Sequence, residues 1–233
     1  MMLKRPLTRW FACHRIRLQC AIWLALCAAQ GCGVYAQTSH QASHLEKSAV
    51  AADPVIAVLE TSLGKIEIEL FLDQAPLSAG SFLKIVRQER FDNAGFYRVV
   101  RPDNDNGYPL ISVIQGGVLD TTALTQADLV DHETTKTSGI LHTDGVVSLA
   151  RSEPGSGTGA TFFICIGDQP SLDFGGQRNL DGQGFAAFGR VVGGMDVVRA
   201  INGMSNTQSS PDPYTENQIL AQPVRFQRVY LKE

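Results

Sequence analysis

Cysteine is almost absent from most of this 233-residue chain. Four of its five cysteines lie within the first 36 residues, and only Cys165 follows them. A single cysteine cannot form an internal disulfide, and no paired cysteine spacing typical of a metal or redox site occurs. Cys165 stands in the apolar run Phe162–Ile166, which predicts a buried strand residue. Residues 37–233 must therefore be stabilised by core packing, and they are numerous enough for it.

Acidic residues are missing from the first 36 positions, which carry Lys4, Arg5, Arg9, Arg15 and Arg17. The remainder holds 15 basic and 23 acidic residues, and hence a formal charge of −8. Such an acidic body is poorly suited to nucleic-acid phosphates or to an anionic membrane surface. Hydrophobic residues make up 44% and charged residues 18% of the chain, which excludes disordered, collagen-like and coiled-coil classes.

The beginning of the chain has the pattern of a secretory signal peptide, residues 1–36. The basic stretch Lys4–Arg17 precedes the apolar stretch Leu18–Ala29, and Val34-Tyr35-Ala36 predicts cleavage before Gln37. A membrane span needs about 20 apolar residues, and this apolar stretch is too short for one. Lipoprotein anchoring at Cys32 is a minor alternative. We expect a periplasmic or secreted protein of a bacterial envelope, with no membrane span after cleavage.

Residues 37–53 are polar and predict a flexible linker, and residues 54–233 predict one domain. Strand patterns fall at Val55–Leu59, Ile66–Leu70, Phe96–Val100, Val113–Ile114, Val146–Ala150, Phe162–Ile166 and Val224–Leu231. Helical patterns fall at Pro76–Gln88 and Met195–Ile201. Many short strands without repeats or βαβ alternation indicate a closed or nearly closed β structure capped by helices.

Three motifs resemble functional signatures but lack the required context. Gly155–Ala160 matches a dinucleotide fingerprint, yet it precedes a strand instead of opening a helix. Pro102–Gly107 resembles half of a calcium loop, but Pro102 and Val113 stand at ligand positions, so we expect an exposed loop. His132-Glu133 and His142–Asp144 lack metal-ligand spacing, and no nucleophile elbow is present. Hydrolase or metalloenzyme chemistry therefore has little support.

Several segments follow one another in an informative order. They are APLS at Ala75–Ser78, GFYRVV at Gly95–Val100, VIQGG at Val113–Gly117, and GVVSLAR, TFFI and FGRVV beginning at Gly145, Thr161 and Phe188. This ordered set resembles the cyclophilin family of peptidyl-prolyl cis-trans isomerases, over Val55 to Leu231. The resemblance implies a mainly β fold, a closed eight-stranded antiparallel barrel capped by two α-helices.

The implied reaction needs few groups. An Xaa–Pro bond rotates slowly because the amide has partial double-bond character, with a barrier near 20 kcal/mol. In the twisted transition state the proline nitrogen becomes a hydrogen-bond acceptor, so a donor aimed at it binds that state selectively. Arginine suits this role because it stays charged and presents a rigid fork of donors. No cofactor or metal is required, and the partners are proline-containing polypeptides or unfolded exported proteins.

The resemblance also implies site residues. Arg98 matches the catalytic arginine, and Gln115 matches the glutamine that orients the substrate backbone. The implied substrate-binding positions are Phe163 as the pocket floor, Val113, Ala150 and Leu172 as walls, Arg151 through its main chain, and Phe185 in place of a histidine. The leucine register could instead fall on Asn179-Leu180.

Two departures from the family pattern have consequences. Ser112 stands where many cyclophilins carry phenylalanine, and Ser171 stands at a tryptophan position associated with cyclosporin. Without the contact area and N–H donor of tryptophan, we expect weak cyclosporin binding. The altered pocket and the insertion Arg101–Ser112 motivate an alternative function, a cyclophilin-fold binding or chaperone module with little isomerase activity.

Overall fold

The structure is a computed structural model that describes residues 53–233. The predicted signal peptide and all but the last residue of the predicted linker therefore lie outside the described residues. Within residues 53–233 no helix is both long and apolar enough to cross a membrane.

Eight antiparallel strands close into a barrel, which confirms the fold class expected from the sequence. The strands are β1 (Ile56–Thr61), β2 (Gly64–Leu70), β3 (Ala94–Val100), β4 (Val113–Val118), β5 (Val146–Leu149), β6 (Thr161–Cys165), β7 (Ala186–Gly193) and β8 (Ile219–Leu231). Around the barrel they follow the order β1-β2-β7-β5-β6-β4-β3-β8, and β8 pairs with β1 to complete the ring. Closure leaves no long unpaired sheet edge.

The alternating pattern in the second strand is confirmed by its burial. Ile66, Ile68 and Leu70 are buried, whereas Lys65 is exposed and the two glutamates between them are half-buried. β1 and β2 form the expected hairpin, with Thr61 paired to Gly64. β7 has no counterpart among the strands predicted from the sequence. Its small residues suit close packing, since a Cβ at Gly189 would lie 2.5 Å from the Glu69 main-chain oxygen.

Among residues 53–233 three α-helices accompany the barrel: α1 (Pro76–Arg87), α2 (Thr135–Ser138) and α3 (Met195–Asn202). α1 and α3 confirm the two helices predicted, and α2 is a single extra turn. Pro76 occupies the first turn of α1, where its missing N–H costs nothing. The buried carboxylate of Glu133 accepts hydrogen bonds from the main-chain N–H groups of Leu77 (3.1 Å) and Ser78 (2.6 Å). Glu133 therefore caps this helix from a distant loop.

The glycine-rich segment Gly155–Ala160 leads directly into β6, as its position before a strand predicted. The Gly159 N–H donates to Ser81 Oγ in α1 at 2.9 Å. A Cβ at Gly159 would lie 2.2 Å from the Phe82 main-chain nitrogen. This glycine thus permits close contact between the loop and α1, a packing role instead of a nucleotide-binding one.

Two apolar clusters share the barrel wall. The interior cluster is rich in aromatic rings, which are Phe82, Phe91, Phe96, Phe162, Phe188 and Phe226. The second cluster lies on the outer face of the same strands. Side chains alternate across a strand, so Phe162 enters the interior while Phe163 and Cys165 belong to the outer cluster. Cys165 is fully buried as predicted, and burial raises the pKa of its thiol well above the ordinary value.

Candidate active site

Strand register places three predicted site residues in one row across adjacent strands. Arg98 in β3 pairs with Gln115 in β4, and Gln115 pairs with Phe163 in β6. Directly paired residues of antiparallel strands present their side chains on the same face. The row therefore sets a charged group, an amide and an aromatic ring side by side on the outer face of the barrel.

A cavity of about 120 Å³ lies over this row. All eight residues predicted for the site line it, together with four that the sequence did not indicate. Its lining comprises Arg98, Val100, Ile111, Val113, Gln115, Ala150, Arg151, Phe163, Leu172, Arg178, Phe185 and Tyr214. The structure thus brings the predicted residues together, and adds a wall formed by distant loops.

The cavity floor is apolar. The Phe163 and Phe185 rings meet edge to face, with centroids 5.2 Å apart. Leu172 is buried against them, whereas Leu180 is fully exposed, so the pocket leucine is Leu172. Phe185 occupies the wall position predicted for it. An apolar floor of this kind favours a compact aliphatic ring such as proline over a polar group.

A hydrogen-bonded group of His142, Asp173 and Ser148 supports the Phe163 ring in the cavity floor. The His142 ring stacks 6.0 Å from the Phe163 ring, with 15° between their planes. Its Nδ1 lies 2.8 Å from Asp173 Oδ1, and its Nε2 lies 3.0 Å from Ser148 Oγ. Ser148 is fully buried. The group therefore fixes the position of Phe163 and presents no hydroxyl to the cavity.

Arg98 is the charged group at the cavity rim. Its Nε and Nη2 donate to Gln218 Oε1 at 2.8 and 2.6 Å, and its Nη1 donates to Gln115 Oε1 at 2.9 Å. Burial lowers the pKa of the guanidinium, which nevertheless remains charged. Within residues 53–233 no carboxylate oxygen lies within 4.0 Å of it. Its charge is therefore desolvated but not neutralised.

Gln115 is oriented by two neighbours. Its Oε1 faces Arg98, and its Nε2 donates to the Tyr97 hydroxyl at 3.0 Å. Burial raises the pKa of the Tyr97 hydroxyl, so this group stays neutral. Gln115 thus lines the cavity, and in this structure its amide holds Arg98. Its role in orienting the substrate backbone stays a prediction.

The loop predicted to be merely exposed in fact contributes a buried ion pair. Asp105 accepts from Arg178 Nη2 and Nη1 at 2.7 and 2.8 Å, and both side chains are almost completely buried. Pro102, Asp103 and Asn106 are exposed, as predicted for this loop, and only the side chain of Asp105 departs from the prediction. Arg178, 73 residues away, supplies the counter-charge that makes burial of Asp105 favourable. Arg178 also donates to the Tyr214 hydroxyl at 2.7 Å.

Tyr214 links this pair to Arg98. The Arg98 guanidinium carbon lies 5.4 Å from the Tyr214 ring centroid, and that of Arg178 lies 5.5 Å away. Both distances suit cation–π contact. Ile111 lines the cavity beside Val113, while Ser112 is not among the lining residues. The insertion thus supplies the aliphatic side chain of Ile111, one position before Ser112, the residue that stands where many cyclophilins carry phenylalanine.

Arg151 lines the cavity, and its guanidinium has several partners. Its guanidinium pairs with Asp181 at 2.8 and 3.0 Å and donates to the Gly184 main-chain oxygen. The guanidinium carbon lies 5.2 Å from the centroid of the Phe185 ring. Arg151 therefore anchors the loop that carries Phe185.

A closed antiparallel barrel with an arginine beside an apolar cavity on its outer face is the architecture that the resemblance implies for a peptidyl-prolyl isomerase of the barrel type. Residues 56–224 match the family model described as cyclophilin type peptidyl-prolyl cis-trans isomerase/CLD. The chain belongs to this family, whose members are peptidyl-prolyl cis-trans isomerases. The resemblance drawn from the ordered motifs is confirmed.

Curated relatives carry the same description. A peptidyl-prolyl cis-trans isomerase of Acinetobacter baylyi is 32% identical over 79% of this chain and 89% of its own length. Peptidyl-prolyl cis-trans isomerase B of Escherichia coli is 32% identical over 66% of this chain and 88% of its own. A crystal structure of a cyclophilin type isomerase of Cryptosporidium parvum matches with a TM-score of 0.55 at 18% identity. That alignment covers 77% of this chain and 98% of the other, and it supports the fold.

Proposed function

We propose that the chain accelerates Xaa–Pro isomerisation in exported proteins, with Arg98 donating to the proline nitrogen in the twisted transition state. The observation that carries this proposal is a desolvated guanidinium beside an apolar cavity, with no carboxylate partner among residues 53–233. Three of its five N–H bonds are committed to Gln218 and Gln115, so two remain for a substrate. The C. parvum isomerase was also crystallised with the dipeptide Ala-Pro, which supports a proline-containing ligand.

The energetic demand is moderate. Raising the rate of a step from about 0.01 to about 1,000 per second requires roughly 7 kcal/mol of transition-state stabilisation. One preorganised donor aimed at developing charge supplies roughly 3 to 4 kcal/mol. The apolar floor then confines the pyrrolidine ring while the carbonyl side of the bond rotates. Arg98 thus supplies the polar part of the transition-state stabilisation, and Phe163 and its neighbours supply the apolar part by confining the ring.

The test uses residues 37–233 and follows exchange of a short Xaa–Pro peptide by NMR exchange spectroscopy. Arg98→Ala is expected to lower kcat/KM at least about a hundredfold, because the donor is lost. Arg190→Ala changes an exposed arginine on β7 and serves as the matched control, with activity expected within about twofold of the native protein.

Two results would contradict the proposal. An Arg98→Ala protein as active as the control would remove the role assigned to Arg98. A folded native protein that gives no acceleration over buffer would favour the alternative, a binding or chaperone module, and would direct attention to the insertion Arg101–Ser112.

Export is a proposal that rests on the sequence of residues 1–36. If the complete chain is expressed in a Gram-negative bacterium, mass spectrometry of the periplasmic fraction should find a mature chain that starts at Gln37. A lipid-modified chain that starts at Cys32 would establish the lipoprotein alternative. A full-length chain in the cytoplasm would overturn export.

We also propose that this protein binds cyclosporin weakly, because Ser171 stands at the tryptophan position. Ser171 is half-buried in the turn Pro170–Leu172, beside the cavity residue Leu172. Ser171→Trp should raise cyclosporin affinity at least about tenfold, because the indole adds contact area and an N–H donor. Isothermal titration calorimetry measures both proteins. Equal affinities would show that residue 171 does not limit binding.

A further inference from the structure

Three arginines line the cavity, and they are held in two different ways. Arg151 pairs with Asp181, and Arg178 pairs with Asp105, each through two hydrogen bonds to a carboxylate. Arg98 instead contacts the neutral amides of Gln115 and Gln218. The guanidinium proposed to meet the substrate thus has amide partners, while the two arginines that anchor loops have carboxylates.

Gln218 is the more strongly fixed of the two amides. It lies immediately before β8, and its side chain is completely buried. Its Oε1 accepts two hydrogen bonds from Arg98, at 2.8 and 2.6 Å, and its Nε2 donates to the Asn104 main-chain oxygen at 2.9 Å. If the amide were flipped, its oxygen would face the Asn104 main-chain oxygen and its NH₂ group would face the N–H groups of Arg98. Neither contact is a hydrogen bond, so only the observed orientation is satisfied.

The main chain of Gln218 is held as firmly as its side chain. Its carbonyl oxygen accepts from the Val99 N–H at 2.9 Å, and Val99 follows Arg98 in β3. Its own N–H donates to the Thr215 oxygen at 3.1 Å. Gln218 is therefore a preorganised acceptor that fixes the plane of the Arg98 guanidinium.

We propose that Gln218 is a positioning residue which orients Arg98 without neutralising its charge. This inference rests on the role proposed above for Arg98. A carboxylate at the same place would form a charge-assisted ion pair with the guanidinium through one of its oxygens. In a poorly solvated site that pair would cancel most of the field which Arg98 directs at the proline nitrogen. An amide oxygen accepts the same two hydrogen bonds without a net charge.

Gln218→Glu gives the sharpest test, because the change is nearly isosteric. An ionised carboxylate at this position pairs with Arg98 and places its second oxygen against the Asn104 carbonyl oxygen. A protonated carboxyl group restores the native pattern, since its O–H donates to Asn104 while its carbonyl oxygen accepts from Arg98. The activity of this variant should therefore rise as the pH falls, whereas that of the native protein stays level.

Gln218→Met removes the hydrogen bonds without adding a charge, and Gln208→Glu adds the same charge at an exposed position in the preceding segment. Exchange spectroscopy between pH 3 and pH 8 measures kcat/KM for all of these proteins, since Arg98 holds the pKa of the introduced carboxyl below the ordinary glutamate value of about 4.3. At pH 7 we expect a loss of about a hundredfold in Gln218→Glu, about tenfold in Gln218→Met and less than twofold in Gln208→Glu. The ¹⁵N spectrum should retain a sharp Arg98 Nε–H signal in Gln218→Glu and lose it in Gln218→Met.

The outcomes separate this inference from the proposed function. If Arg98→Ala remains active, the role of Arg98 fails, and the inference fails with it. If Arg98→Ala is inactive but Gln218→Glu keeps activity within about threefold at pH 7, only the inference is overturned. Equal losses in the Glu and Met variants without pH dependence would reduce Gln218 to a structural residue. Should Gln218→Glu not fold at pH 7, full activity in a folded Gln218→Met would by itself refute the positioning role.

Discussion

Phe162 and Phe163 are neighbours in β6, yet they enter two different environments. The Phe162 ring lies inside the barrel, with the rings of Phe82 and Phe96 at centroid distances of 5.3 and 6.0 Å. The Phe163 ring lies on the outer face beneath the cavity, between Phe185 and His142. The interior cluster consists of apolar side chains, whereas the outer cluster is bounded by guanidinium, amide and carboxylate groups.

The barrel interior and the outer face are formed by different parts of the chain. The strands, α1 and the turn after α1 that holds Phe91 supply the interior rings, and alternation along the strands turns their rings to the same side. The outer face needs three loops, and in each loop a polar side chain forms hydrogen bonds with a cavity-lining arginine. Those side chains are Asp105 in the insertion, Asp181 before β7 and Gln218 before β8. Packing thus determines the scaffold, while charge and hydrogen bonding determine the shape of the site.

The largest expected effect comes from truncating the two rings separately. Phe162→Ala should lower the free energy of unfolding by about 4 kcal/mol, because a completely packed ring leaves a cavity. Phe163→Ala should cost about 2 kcal/mol, since one side of that ring already faces open space. It should also lower kcat/KM at least about tenfold, because the prolyl ring loses its floor. Urea unfolding followed by circular dichroism, combined with exchange spectroscopy, measures both quantities.

Equal stability losses in the two variants would show that the outer cluster is as much a part of the core as the interior. Native activity in Phe163→Ala would show that the floor does not contact the substrate. Either result would remove the distinction between a scaffold face and a functional face of β6.

Local patterns predicted most of the strands and both longer helices, and the family resemblance implied the closed eight-stranded barrel and the residues of the apolar part of the site. The period-2 alternation of Ile66–Leu70 and the helical spacing of Pro76–Gln88 match β2 and α1, because burial on one face imposes them. β7 was missed since Ala186, Ala187 and Gly189 are small residues that give no clear alternation. The floor residue Phe163 followed from its motif.

Arg98, Gln115 and Arg151 were implied by the resemblance, but the contacts that hold the polar rim together could not be predicted in the same way. Asp105 and Arg178 are 73 residues apart, and Arg98 and Gln218 are 120 apart. No local spacing signals such pairs, because they depend on how loops return to the barrel. A lone glutamine before a strand and a tyrosine in a loop are also common surface residues. Contacts between loops that are distant in sequence thus decide the part of the site which carries the charge.

A smaller effect should appear when the anchor of the insertion is weakened. Burial by itself would raise the pKa of the Asp105 carboxyl, but hydrogen bonds from Arg178 and from the N–H groups of Gly107 and Ile111 outweigh burial and lower it. A carboxyl whose folded-state pKa lies below its unfolded value of about 3.9 stabilises the fold at neutral pH. That contribution is lost as the pH falls through the lower, folded-state value.

Asp105→Asn should therefore lower the free energy of unfolding by about 2 kcal/mol at pH 7, less than the loss of Phe162, because the loop can open locally and hydrate Arg178. The difference from the native protein should shrink as the pH is lowered below about 4, where the native carboxyl also becomes neutral. Asp103→Asn, an exposed neighbour in the same loop, should stay within about 0.5 kcal/mol of the native protein.

Urea titrations at several pH values measure the effect on global stability, and hydrogen exchange of the Ile111 amide measures the local opening of the loop. A constant difference between native and Asp105→Asn proteins down to pH 3 would show that this pair contributes no acid sensitivity. The rim would then resemble the interior in depending on packing alone.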